Sequence, residues 1–217
     1  MKKSTLALPA LLASLLGLAY AVSKHRAEVE SPPGRPVVLV SEPEHAATPA
    51  MIAAAGSMER RAAPAFRAVA DDGETYTLRD LAEQGPLALV FIKVGCPCSV
   101  AARPFYDRLH QAYGSRVRFF GVIDGDADVA REWSRANRLS FPILCDPGLQ
   151  IVREYRAENS AYFAIISKGG AIERYWPGYS VGMLNEANER LARLAGVEAM
   201  PFDATDAPVE IYSGCPF

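Results

Sequence analysis

Leu87-Ala88-Leu89-Val90-Phe91-Ile92 is an unbroken apolar run. A strand with one wet face alternates apolar and polar residues, so a run without alternation needs cover on both faces. Residues 117–123, apolar but for Arg118 and Gly121, read as a second strong strand. Between the two, Phe105, Leu109, Ala112 and Tyr113 fall at helical spacing and predict a helix over 99–113. Residues 124–137, with Val129 and Trp133 four apart, predict another. A short strand at 141–144 and a helical segment at 149–155 come next. Residues 162–167 and 171–175 read as a strand pair turning at Gly169-Gly170, and 182–194 as a closing helix. Two strand–helix units succeeded by a hairpin and a helix make an α/β fold, a central mixed β-sheet flanked by helices on both faces.

The flanks read differently. Met1, Lys2 and Lys3 precede an uncharged stretch from 4 to 22 that ends before Lys24-His25-Arg26. Residues 1–22 therefore read as a signal peptide, with Ala19-Tyr20-Ala21 as its small-x-small cleavage site, or as an N-terminal membrane anchor, since both share this pattern. Either reading places the protein in the periplasm or on the outer face of the cytoplasmic membrane. Residues 23–64, rich in Pro and Ala, read as a spacer in which 37–40 is strand-like and 51–61 could form a short helix. The domain is expected over 65–196. Residues 197–217, with Pro201, Pro208, Gly214 and Pro216, read as a C-terminal tail. With 23 Lys plus Arg against 25 Asp plus Glu and a formal net charge of -2, the chain has no excess positive charge for nucleic acid.

Neither a Rossmann glycine fingerprint nor a phosphate-binding P-loop comes after the first strand, so no nucleotide cofactor is implied. The strand runs instead into Gly95-Cys96-Pro97-Cys98-Ser99. Cys96 sits past the end of a buried strand and at the start of a helix, where unpaired N–H groups favour a thiolate. A thiolate is the nucleophile of disulfide exchange and of peroxide reduction. Pro97 suits the first helical turn, where its missing N–H is not needed. Lys93 and Arg103 are near enough in sequence to add positive charge. A Cys96–Cys98 disulfide would close a very small, reducible ring, so Cys98 is either a resolving thiol or a packed one. Cys145, at a strand end beside a turn, reads as a packed thiol. His25 and His45 fall in the spacer and His110 on the helix after the cysteines. Arg131, Arg135 and Arg138 read as a solvated helix face.

These residues carry a resemblance. Ala65-Phe66 ahead of a short hairpin, Leu89-Val90-Phe91 entering the Cys-Pro-Cys-Ser segment, Pro104, Phe141-Pro142-Ile143-Leu144-Cys145-Asp146-Pro147 and Ser167-Lys168-Gly169-Gly170 resemble the thioredoxin-like superfamily. The nearest match within it is the redoxin group, where alkyl hydroperoxide reductase and thiol-specific antioxidant proteins sit beside exported thiol–disulfide oxidoreductases. The resemblance implies a thioredoxin-like fold over about 65–196 and makes Cys96 the attacking cysteine. Ser99 stands where the family's second cysteine usually stands, and Cys98 comes one residue early. Pro104 resembles the proline that kinks the family's active-site helix. Where the family places a Thr-Pro pair opposite the cysteine, this chain has Ser160-Ala161, and the bond before Ala161 is expected trans because a non-proline cis bond is costly. Leu89 and Lys93 replace the Pro and Thr of the peroxiredoxin pattern. Cys215-Pro216 is similar to the C-terminal Cys-Pro of two-cysteine peroxiredoxins and offers a second resolving thiol. The implied partner is a thiol or disulfide protein or a small hydroperoxide, with no resident cofactor.

The leading expectation is an exported thiol–disulfide oxidoreductase. A peroxiredoxin-like peroxidase is the first alternative. A Cu(I) carrier using Cys96, Cys98 and His110, or a redox-inert interaction domain, are the others.

Overall fold

The computed structural model describes residues 45–217. The signal or anchor expected at 1–22 and the strand-like run at 37–40 lie outside the described residues. Among the described residues no helix is long and apolar enough to cross a membrane.

The unbroken apolar run forms β3 (Leu87–Ile92), buried at every residue. It is the middle strand of a five-stranded sheet, because side chains alternate across a strand and both of its faces find cover. Ala88, Val90 and Ile92 enter one core and Leu87, Leu89 and Phe91 the other. β4 (Arg118–Ile123) pairs parallel to β3 through α3 (Pro97–Tyr113). β5 (Ile143–Cys145) pairs parallel to β4 through α4 (Ala127–Asn137). After the short α5 (Gln150–Glu154), β6 (Phe163–Ile166) and β7 (Ile172–Trp176) join antiparallel on the other side of β3. The order is β5-β4-β3-β6-β7. α6 (Val181–Ala195) packs with α3 on one face, through residues such as Leu109, Tyr113, Leu184 and Leu191. On the opposite face lie α1 (Pro49–Met58), the hairpin β1 (Arg67–Val69) and β2 (Thr75–Thr77), α2 (Leu78–Gln84) and α5. This is the thioredoxin-like α/β fold expected from the sequence, with a mixed sheet between helices.

Both flanks are more structured than their composition suggests. α1 lies inside the expected spacer, started by Thr48, whose hydroxyl accepts from Met51 N–H, with Pro49 in its first turn. Its Met51, Ala55 and Met58 are buried in the second core. Glu59 holds Arg174 of β7, and Arg174 also meets Glu186 of α6. The packed structure therefore begins ahead of residue 65. The expected tail also returns to the body. Met200 N–H donates to the Tyr113 hydroxyl, and Tyr212 bridges both Ala46 and Tyr179. At Gly178 the backbone comes so close to the tail that a Cβ would lie 2.2 Å from Tyr212 O, which only glycine permits. Buried side chains hold the first flank, and main-chain pairing supplies much of what holds the second.

Candidate active site

Cys96 ends the β3–α3 loop and is the N-cap residue of α3, with extended backbone and no side-chain bond to the helix N–H groups. The loop is pinned from both ends. Ser99 Oγ accepts from Lys93 N–H at 3.1 Å, and Asp124 accepts from Val94 N–H at 2.7 Å. Pro97 fills the first helical position and Pro104 sits inside the helix.

The sulfur of Cys96 is held from outside the helix. It accepts the Ser160 hydroxyl at 3.2 Å and the Cys215 N–H at 3.2 Å. Position alone predicts that N–H groups of the helix start supply the donors for a thiolate; none of them bonds the Cys96 side chain, and the loop opposite and the C-terminal segment supply two donors from outside the helix. The neighbouring Cys98 thiol does most to hold Cys96 well below the ordinary thiol range. Burial opposes this, while the Cys215 side chain, the Ser160 hydroxyl and the Cys215 N–H reinforce it. Cys98 is pushed up, first because its proton is held by Cys96 and then by burial. Cys215 is pushed up to about 11 by burial and by the Cys96 thiolate, against a lowering contribution from Lys93. One proton-poor sulfur thus sits between two thiols that keep their protons. All four cysteines are free.

The loop opposite Cys96 is Ser160-Ala161. Among the described residues no peptide bond is cis, as expected for Ala161. Ala161 adopts a left-handed backbone, φ 64°, a conformation rare for a residue with a Cβ. Its neighbours hold it there: Ala161 N–H donates to Phe91 O at 2.7 Å, and its carbonyl accepts the Tyr106 hydroxyl at 3.1 Å. The strained turn aims the Ser160 hydroxyl at Cys96, and Ser160 is fully buried.

Other expected participants point elsewhere. The Lys93 ammonium pairs with Asp124 at 3.4 Å and lies 5.8 Å from the Phe217 ring centroid, so its charge serves the Cys215 segment. Arg103 pairs with Asp107, one turn along α3, rather than supporting the thiolate. His110 is on the last turn of α3, bonded to Ser140 Oγ and edge-on to Phe119 and Phe141. Twelve residues of helix place it about 18 Å along the axis from Cys98, too far to share an ion. The Cys96, Cys98 and His110 set is therefore not assembled. Among the described residues no group of three or more His, Cys, Asp or Glu could hold a metal ion. The imidazole beside Cys98 belongs to His45, with Nδ1 3.7 Å from Cys98 Sγ. Sequence reasoning puts His45 in a spacer, and no local pattern marks it. Cys145 is half-buried in a groove of about 600 Å³ formed with residues of β1 and α5, none of them a member of the Cys96 cluster.

No curated protein matches the chain. Solved structures do, at identities that speak for the fold alone. An uncharacterized conserved protein from Geobacillus kaustophilus is 18% identical with a TM-score of 0.59, covering 73% of this chain and 90% of its own. A secreted Mycobacterium tuberculosis disulfide oxidoreductase homologous to E. coli DsbE is 22% identical with a TM-score of 0.51, covering 59% of this chain and 96% of its own. Peroxidoxin BcpB from Mycobacterium tuberculosis is 15% identical with a TM-score of 0.54, covering 65% and 98%. Residues 60–175, more than half of the chain, match the model of the AhpC/TSA family. With its Cys-Pro-Cys-Ser site at the head of α3 of a thioredoxin-like fold, the chain belongs to the AhpC/TSA family.

Proposed function

We propose that the protein is an exported thiol–disulfide oxidoreductase with Cys96 as attacking thiolate and Cys98 as resolving thiol. The observation that carries this reading is the Cys96 sulfur, buried and held by the Ser160 hydroxyl and the Cys215 N–H, with a second thiol two residues away. Cys96 S⁻ attacks one sulfur of a substrate disulfide. The S–S bond breaks, a mixed disulfide with Cys96 forms and the other substrate sulfur leaves as a thiolate. That step consumes the charge on Cys96, which had held the Cys98 proton. His45 Nδ1, 3.7 Å from Cys98 Sγ, is then the acceptor for it. The Cys98 thiolate attacks Cys96, the second substrate sulfur leaves, and a Cys96–Cys98 disulfide remains. Two electrons have passed from two protein thiols to one substrate disulfide. Export is supported by the basic head and apolar run at 1–22. The likeness to the secreted Mycobacterium tuberculosis oxidoreductase and to an exposed lipoprotein thioredoxin of Streptococcus pneumoniae agrees with it.

The test is mixed-disulfide trapping. Reduced protein mixed with a small disulfide should reduce it with loss of two thiols. Cys98→Ser should stop at a stable Cys96 adduct, and Cys96→Ser should do nothing. Turnover that survives Cys96→Ser sinks the reading.

Family membership favours a second reading, thiol peroxidase. Cys96 S⁻ would take one oxygen of a hydroperoxide to become a sulfenic acid, releasing an alcohol or water, and a neighbouring thiol would condense with it to a disulfide and water. The Lys93 side chain, turned to Asp124, leaves the peroxidatic threonine hydroxyl without a replacement from that position. Peroxide consumption with a thiol donor, absent in Cys96→Ser, distinguishes this chemistry from disulfide exchange.

A further inference from the structure

Cys96 is only 2% exposed, and its cover includes a length of the protein's own chain paired through its main chain. Residues 213–217 run antiparallel to 158–160. Gly214 N–H donates to Ser160 O at 2.9 Å, Ser160 N–H to Cys215 O at 2.9 Å, and Phe217 N–H to Glu158 O at 3.1 Å. Asn159 and Pro216 form an antiparallel bridge, and the Asn159 amide donates to Gly214 O at 2.7 Å. The register delivers the Cys215 N–H to Cys96 Sγ at 3.2 Å. Nearly all of this recognition is made through main-chain groups, which any extended peptide can offer.

Two positions read side chains. A Cβ on Gly214 would lie 1.9 Å from Ser160 Oγ and 2.9 Å from the Ser160 carbonyl carbon and oxygen. Ser160 is fully buried and its hydroxyl is committed to Cys96, so it has nowhere to yield. The residue before the cysteine must therefore be glycine. Two residues after the cysteine, the Phe217 ring faces the Lys93 ammonium.

The geometry points to residues 213–217 as an internal competitor that lies where an extended cysteine-bearing polypeptide would pair with 158–160, and to glycine as the residue such a polypeptide must carry immediately ahead of its cysteine. This inference rests on Cys96 being the attacking thiolate and adds which substrates reach it. A substrate displaces the segment, pairs with 158–160 and brings its own cysteine to the place of Cys215. Cys96 S⁻ then attacks that sulfur, forming the mixed disulfide and releasing the sulfur to which it had been joined.

The test uses the full chain, reduced, as wild type and as Gly214→Val, whose side chain expels its own segment. Three probes are used: dithiobisnitrobenzoate as a small disulfide, and two capped peptides, Ser-Gly-Cys-Pro-Phe and Ser-Val-Cys-Pro-Phe, each joined through its cysteine to thionitrobenzoate. Released thionitrobenzoate gives the rate, and mass spectrometry identifies adducts on Cys96. The small disulfide should modify Cys96 at least about tenfold faster in Gly214→Val than in wild type. The glycine peptide should react at least about tenfold faster than the valine peptide in either protein, because a clash against an unyielding wall is costly. Equal rates for the two peptides, or equal Cys96 modification in the two proteins, overturn the inference while leaving the oxidoreductase reading intact. No modification of Cys96 by any probe in either protein overturns that reading itself. If Gly214→Val loses its far-ultraviolet circular dichroism, Asn159→Ala, which frees Gly214 O, serves as the loosened variant, and wild type still reports the peptide preference.

Discussion

Ser160→Ala isolates one donor to the thiolate. The hydroxyl lies 3.2 Å from Cys96 Sγ, and Ser160 is fully buried, so bulk water has no direct route to take its place. A hydrogen bond to a charged group is worth roughly 1.5–3 kcal/mol. Each pKa unit corresponds to about 1.4 kcal/mol, so the Cys96 pKa should rise by roughly 1–2 units. It should not return to the ordinary thiol value, because Cys98, the Cys215 side chain and the Cys215 N–H still act on Cys96. Losing the bond should also lower the stability of the reduced protein at neutral pH by a similar amount, since the thiolate is then less well held in the folded state. The assay is thiolate absorbance near 240 nm followed against pH, with Cys96→Ser subtracted, alongside the rate of iodoacetamide alkylation at Cys96. A thiolate pKa that moves by less than about 0.3 units in Ser160→Ala would refute the assignment of that hydroxyl as a donor to the charge.

Folding lowers the Cys96 pKa, so the stability it contributes is fully present above the unfolded thiol value, about 8.5, and is lost as pH falls through the lower folded value. Urea melts should therefore show the gap between reduced wild type and Cys96→Ser widening from acid towards about pH 8.5; a gap independent of pH over that range contradicts it. Asp146, buried at the head of α5, accepts from Gln150 N–H and Val152 N–H at 2.7 and 2.9 Å. Asp146→Ala strands both donors and should cost about 3 kcal/mol in chemical denaturation, whereas a loss below about 1 kcal/mol refutes the role. Tyr113 donates to Asn188 Oδ1 and accepts from Met200 N–H at 3.0 Å. Tyr113→Phe should speed amide exchange at Met200 more than in β3, and uniform protection would show that the hydroxyl does not anchor the returning segment.

The sheet is readable because its central strand carries its environment in its composition. Leu87–Ile92 can be unbroken only if both faces are covered, and they are. Cys96 at the head of a helix is readable for a similar reason, since a buried strand running into Pro97 leaves few places for the turn to end. The cover over Cys96 is not readable. Ala47 N–H donates to Ile211 O, Ser213 N–H to His45 O and Gly214 N–H to Ser160 O, all main-chain bonds that alanine, serine and glycine make without an amphipathic pattern. The short helix expected at 51–61 is there as α1, but nothing local in that stretch of Ala and Pro announces that it packs into the second core. The short α2 lacks enough turns for a period to stand out. Side-chain direction is the other gap. Nearness in sequence puts Lys93, Arg103 and His110 beside the thiols, while Asp124, Asp107 and Ser140 draw them away, and His45 arrives from 53 positions upstream of Cys98.

The 119 positions between Cys96 and the N–H that caps its sulfur have a consequence for biogenesis. Chains are made and threaded from the N-terminus, so β3 and the head of α3 emerge long before residues 213–217 exist to lie across them. The loop that this contact closes is long, and such closures come late in folding. Until then the nascent chain carries an uncovered Cys96. A ribosome stalled or a protease acting ahead of residue 213 would release a protein with its sheet in place and its most reactive atom bare. Residues 213–217 thus act as a seal, and their loss would change which neighbours the rest can capture.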